Sequence, residues 1–140
     1  MEQFGQFILN HLGLWVALII ILTLVLVNEW LGQKNKAKEL STSEAVKLMN
    51  DESAKVFDLR EPDAFKAGHI MGAIRVDQNE LEKDSLKKHK QQPIILVCNR
   101  GLQSQTAATK LRDQEFQKIY VLSGGMNSWM SADLPIIKGK

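Results

Sequence analysis

The sequence predicts an α/β domain with a mostly parallel central sheet, preceded by one N-terminal transmembrane helix. Three observations carry this reading. Short strand-like runs at 55–59, 73–76, 94–97 and 119–122 alternate with helical patterns, the order that produces a parallel sheet. Ile94-Ile95-Leu96-Val97 is apolar at every position, as a strand covered on both faces must be. Phe7 to Val27 carries no Asp, Glu, Lys or Arg, and is long enough as a helix to cross a bilayer core of about 30 Å.

From Leu12 to Val27 only Gly13 and Thr23 interrupt the apolar side chains. Secretory signal peptides start with basic residues and end at a small-residue cleavage site. Here Glu2 is the only charged side chain before the run, and the exit reads Val27-Asn28-Glu29-Trp30-Leu31, so residues 1–31 read as an uncleaved anchor. Trp30 falls at the expected headgroup level. All 18 Lys and Arg residues follow the anchor, beginning with Lys34, Lys36 and Lys38. The positive-inside rule then places the N-terminus outside and the remaining chain in the cytoplasm, at the cell inner (plasma) membrane. A reducing cytosol also suits a chain with one cysteine.

Residues 32–39 read as a basic linker and 40–140 as the domain. With 44% hydrophobic and 24% charged residues the chain is globular, not disordered. Its net charge is only +2, its basic residues alternate with acids, and no aromatic platform accompanies them, which argues against a nucleic-acid partner. The cluster Lys87-Lys88-His89-Lys90 reads as a solvated helix end.

Within the domain, Ser41-Thr42-Ser43-Glu44 has the form of a capping box and opens a helix with Ala45, Leu48 and Met49 on one face. Lys55 to Leu59 alternates as a strand, ended by Glu61-Pro62, with Asp58 and Arg60 at its C-terminal end. Asp63 to Ala67 reads as a helical turn closed by Gly68, and Ala73 to Val76 as a short strand. Asn79 is the expected cap of a helix from Glu80 to about His89. Ile119 to Leu122 forms the last strand, and Gly124-Gly125 turns the chain into a final helix around Trp129.

Cys98 stands where the central strand gives way to the loop Asn99-Arg100-Gly101-Leu102-Gln103. The helix that follows, read from Ser104 to Leu111, places Ala107, Ala108 and Leu111 on one face. Free N–H groups and the positive end of a helix dipole favour an anion at such a junction, here a thiolate and a negatively charged sulfur donor. A buried structural cysteine would occupy the same position in the sequence. The three histidines and one cysteine have no metal-site spacing.

Four segments together resemble the rhodanese domain: 58–65 (Asp-Leu-Arg-Glu-Pro-Asp-Ala-Phe), 68–74 (Gly-His-Ile-Met-Gly-Ala-Ile), the cysteine loop, and 122–129 (Leu-Ser-Gly-Gly-Met-Asn-Ser-Trp). They follow the family's order and span roughly residues 40 to 137. With the anchor and linker, the whole chain resembles the membrane-tethered single-domain rhodaneses of bacteria. The resemblance implies a three-layer fold and a sulfurtransferase that carries sulfane sulfur as a persulfide on Cys98. It makes Asn99, Arg100, Gly101, Leu102, Gln103 and Ser104 the substrate-binding loop, with Asp58, Arg60 and His69 in support. It requires no cofactor. The implied partners are a small sulfur-donor anion or persulfide, a thiol or protein acceptor, the membrane, and a membrane-protein partner.

The loop departs from the family's pattern. Asn99 and Gln103 stand where two arginines are usual, which weakens binding of a dianion such as thiosulfate more than that of a hydropersulfide. Glu115 stands where the family usually has glycine. His69 and Trp129 read as structural, and Asp58 and Arg60 as either loop-orienting groups or a pair that fixes their own turn. The competing function is a tethered interaction module that keeps the fold for binding. A phosphatase of the related loop type would need an arginine where Ser104 stands.

Overall fold

The structure, a computed structural model, describes residues 1–34 and 36–139. It divides into two units, Met1–Asn35 and Lys36–Lys140. The first unit holds α1 (Glu2–Asn10) and α2 (Leu12–Lys34). The apolar stretch expected from Phe7 to Val27 is interrupted at His11, and the segment able to span a bilayer is Leu12–Gln33. Asn10 and His11 are poor interior helix residues, which suits a break there. The 22 residues of that segment extend about 33 Å as a helix. Thr23, a hydroxyl within it, is satisfied by donating to the Ile19 carbonyl at 2.7 Å.

The second unit is built on a five-stranded sheet in which every pairing is parallel. Its strands are β1 (Lys38–Leu40), β2 (Lys55–Asp58), β3 (Ile74–Arg75), β4 (Ile94–Val97) and β5 (Ile119–Leu122), in the order β1-β5-β4-β2-β3. β4 lies at the centre, and its period-two alternation divides the core. Ile95 and Val97 pack with Leu40, Ala45, Val56, Leu122, Met126 and Trp129 on one face. Ile94, Leu96 and Cys98 pack with Phe57, Leu81, Leu86, Ala107, Ala108 and Leu111 on the other. Burial of each large apolar side chain contributes about 1.5–3 kcal/mol, so the two cores account for the three layers.

The helices follow from the same residues. In α3 (Thr42–Asp51) Ser41 and Glu44 form the expected capping box: the Ser41 N–H donates to the Glu44 carboxylate at 2.8 Å and the Glu44 N–H to the Ser41 hydroxyl at 3.3 Å. α4 (Pro62–Ala67) starts with proline in its first turn, where the missing N–H costs nothing. α5 (Leu102–Asp113) begins two residues before the expected Ser104 and buries Ser104, Ala107, Ala108 and Leu111. α6 (Gly125–Ser131) buries Trp129, whose indole N–H donates to the Pro135 carbonyl at 3.1 Å.

Two expectations are corrected. Residues 80–89 do not form one helix capped by Asn79. Asp77 caps a 3₁₀ turn over Gln78–Glu80, and a second 3₁₀ segment covers Asp84–His89. Leu81 and Leu86 are both buried here, and five positions on an α-helix place them about 140° apart, so one straight helix could not bury both. His89 is buried rather than solvated, with its Nδ1 3.0 Å from the Gln92 side-chain oxygen and its ring edge on Phe57.

The second correction concerns the linker. β1 takes up Lys38 and Glu39, which read as linker, and pairs with β5. Gln105 of α5 fixes its approach: the side-chain oxygen accepts the Ala37 N–H at 3.0 Å and the side-chain amide donates to the Ala37 carbonyl at 3.2 Å. Asn35 and Lys140, read as linker and domain end, lie outside the described residues.

Glu115, just beyond α5, has φ 70°, the left-handed conformation in which a Cβ costs about 1 kcal/mol. Glu115→Gly is therefore expected to stabilise the domain by about 0.5–1 kcal/mol, the added freedom of the unfolded chain offsetting part of the gain. A rise in the denaturant midpoint with an unchanged slope would show it; an unchanged or lower midpoint would contradict it.

Candidate active site

Cys98 is the first residue beyond β4, at the carboxyl end of the sheet, where ligands of open parallel sheets collect. The neighbouring strand ends beside it, with the Leu59 N–H donating to the Val97 carbonyl at 2.8 Å. Two carbonyls of the loop are then drawn away from the sulfur. Cys98 C=O accepts the Met126 N–H at 2.8 Å and Asn99 C=O accepts the Asn127 N–H at 3.2 Å, both from α6. Gly101, at φ 90°, reverses the chain and sends its N–H to Cys98 Sγ at 3.0 Å. The Cys98 residue is only 2% exposed, yet it lines a cavity of about 320 Å³ whose other walls are Asn99, Arg100, Leu102 and Gln103. A fixed amide dipole at a nucleophilic sulfur stabilises negative charge without reorganising when that charge develops.

The sequence-predicted residues separate into two groups. Asn99, Arg100, Leu102 and Gln103 surround the sulfur, and Gly101 reaches it through the backbone. Ser104 does not line the cavity. Its side chain points into the core, fully buried, and its hydroxyl has no hydrogen-bond partner among the described residues. An unsatisfied buried hydroxyl costs about 1–3 kcal/mol, so Ser104→Ala is expected to raise stability by about 1 kcal/mol. Thermal or denaturant unfolding checks this, and a fall of similar size would contradict it.

Asp58, Arg60 and His69 stand apart from the sulfur cavity. The buried Arg60 side chain donates to both Asp58 oxygens, with Nη2–Oδ2 at 2.8 Å, and Nη2 also donates to the Gly68 carbonyl at 2.7 Å. The pair thus ties the end of β2 to the end of α4, fixing its own turn. His69 stacks on Phe65 at 3.8 Å and its Nδ1–H donates to the Phe65 carbonyl at 2.8 Å, while its backbone exchanges two hydrogen bonds with Ile137. These contacts join the end of α4 to the C-terminal segment.

Sequence reasoning missed the support from α6. Gly125 has φ 60°, and a Cβ there would overlap the Cys98 carbonyl and come within 2.7 Å of the Asn99 carbonyl carbon. The adjacent glycines mark a turn in the sequence, but their contact with a loop some 25 residues earlier is a property of the fold.

A profile of the Rhodanese-like domain matches residues 41–132. The chain is 36% identical to the Escherichia coli protein YibN over the full length of both. It is 34% identical to thiosulfate sulfurtransferase GlpE of Pseudoalteromonas translucida, covering 68% of this chain and 90% of that protein. The crystal structure of a rhodanese-related protein from Thermoplasma volcanium superposes with a TM-score of 0.61 at 21% identity, over 71% of this chain and 97% of that one. The parallel sheet that ends in the Cys98 loop is the shared fold, and on the profile match and these relatives the chain belongs to the rhodanese-like domain family.

Proposed function

We propose that the chain is a sulfurtransferase that carries sulfane sulfur as a persulfide on Cys98, anchored at the cytoplasmic face of the inner membrane. The observation that carries the chemistry is the Gly101 N–H donating to Cys98 Sγ at 3.0 Å beside a cavity. In the first step the Cys98 thiolate attacks the outer sulfur of thiosulfate or a persulfide. The donor's S–S bond breaks, a new S–S bond forms at Cys98, and sulfite or a thiolate leaves with the electron pair. An acceptor thiol, a protein thiol or cyanide then takes the outer sulfur and returns Cys98 as the thiolate. Thiolate and ionised persulfide both carry negative charge at the sulfur, so the Gly101 N–H serves both steps. The relatives named as thiosulfate sulfurtransferases support this class of reaction.

The anchor rests on α2. Its candidate span, Leu12–Gln33, is unburied by protein, and a helix apolar on every side needs lipid to cover it. The lysines that follow favour a cytoplasmic domain. The test is thiocyanate formation by the full chain in lipid vesicles, given a sulfur donor and cyanide. Turnover that saturates with donor supports the reading; no thiocyanate from any donor rejects it. The missing loop arginines favour a second reading, a tethered interaction module. That reading predicts undetectable turnover together with crosslinks to a membrane protein that persist in Cys98→Ser.

A further inference from the structure

We infer that α1 is a lipid-binding element: it turns aside at His11 and lies in the plane of the membrane interface at the N-terminal end of the span, with Phe4, Phe7 and Ile8 in the acyl chains. This rests on the reading of α2 as a membrane anchor. Length gives the first argument. Leu12–Gln33 alone covers a bilayer core of about 30 Å, and a straight helix continued back to Glu2 would reach about 48 Å, beyond the ~40–45 Å of a whole bilayer. Counting from the other end gives the same boundary. With Trp30 at the headgroup level, a core of about 30 Å ends about 20 residues earlier, at Asn10. The helix is interrupted at the next residue, His11, with φ −117° and ψ 26°.

The pattern of side chains gives the second argument. At about 100° per residue, Glu2, Gln3, Gln6 and Asn10 fall within one sector of about 100°, and Phe4, Phe7, Ile8 and Leu9 lie outside it. No residue of α1 is buried by protein, and Phe4 is 70% exposed. A nine-residue helix without a side-chain cap is shorter than the ~12–15 residues at which isolated helices become marginal in water, so it needs an apolar surface. The chain supplies one, because the residue after His11 opens the spanning helix.

The apolar stripe also continues through the break. Phe7, His11, Leu14, Trp15 and Leu18 line one hollow of about 420 Å³, with the Phe7 and His11 rings 4.8 Å apart. Apart from the ring nitrogens of His11 and Trp15 these side chains are hydrocarbon, which suits acyl chains below and a polar imidazole at the headgroups. α1 contains no Lys or Arg, so burial of its apolar face, not attraction to anionic headgroups, holds it to the lipid.

The test uses the full-length chain carrying Cys98→Ser, with nitroxide labels on Gln3→Cys, Phe4→Cys, Gln6→Cys, Phe7→Cys or Ile8→Cys, and on Leu22→Cys within α2. The vesicles are phosphatidylcholine with and without phosphatidylglycerol, and depth is read from collisions with oxygen against collisions with a water-soluble nickel chelate. Labels at 4, 7 and 8 are expected at one shallow depth of about 5–10 Å, those at 3 and 6 in water, and both sets unchanged by phosphatidylglycerol. Equal chelate access at all five positions, a depth that changes steadily from residue 8 to residue 3, or burial seen only with phosphatidylglycerol overturns the inference while the anchor stands. Spin–spin broadening at 4 or 7 that vanishes on dilution with unlabelled chain also overturns it, because a second copy would then be the cover. Chelate access at position 22 rejects the anchor itself.

Discussion

Replacing Cys98 by serine is expected to abolish sulfur transfer, lowering turnover about a thousand-fold or more while leaving the fold intact. The serine hydroxyl occupies nearly the same space and can accept the Gly101 N–H, so packing against Leu96, Ala107 and Ala108 survives. The hydroxyl cannot ionise at neutral pH or hold sulfane sulfur. Unfolding midpoints within about 1 kcal/mol of the parent, measured beside thiocyanate production, separate this loss from misfolding. Turnover that persists in Cys98→Ser would remove the cysteine from the mechanism.

Gly125→Ala is expected to damage the site from outside it. The new Cβ would overlap the Cys98 carbonyl and press on the Asn99 backbone, at a φ of 60° that already disfavours any Cβ. Strain and displacement together should cost about 3 kcal/mol and lower the melting temperature by roughly 15 °C. The Cys98 and Asn99 carbonyls are held by Met126 and Asn127, the residues next to Gly125, so the cradle moves as the helix start moves. A shift of about 1 Å should lower kcat/KM on the order of a hundred-fold. Gly72→Ala is the control: its φ is 78°, but the added Cβ meets open space, so only about 1 kcal/mol is lost and turnover is retained. Equal effects of the two substitutions on turnover would show that α6 does not hold the loop.

Most of the domain was legible because its elements are locally marked. The Ser41–Glu44 box, the wholly apolar β4 and the Glu61-Pro62 step that ends the β2 run each announce themselves within a few residues. β1 was hidden because Leu40 is its only buried side chain and two exposed charged residues precede it. What places it is pairing with β5 and the grip of Gln105 on Ala37, 68 positions away, and no local pattern reports either. The broken segment from Gln78 to His89 was hidden because a helical cap and acidic first turn are shared by α and 3₁₀ turns. Only the packing of both Leu81 and Leu86 separates them.

The site divides in the same way. The cysteine, its glycine and the residues around the cavity sit together in the sequence, so the loop was found as a unit. The burial of Ser104 follows from α5 starting at Leu102, which turns that side chain toward the sheet. The left-handed Glu115 was visible only through the family's usual glycine, because no property of glutamate marks such a position.

On the proposed mechanism Cys98 Sγ, with the Gly101 N–H on it, accepts and holds a second sulfur atom. Intact-mass measurement of the full-length chain after exposure to a sulfur donor tests it without an acceptor or a coupled assay. The expected result is the gain of one sulfur atom, removed by cyanide and absent from Cys98→Ser. An unchanged mass with thiosulfate and with glutathione hydropersulfide alike, in folded protein, would contradict it.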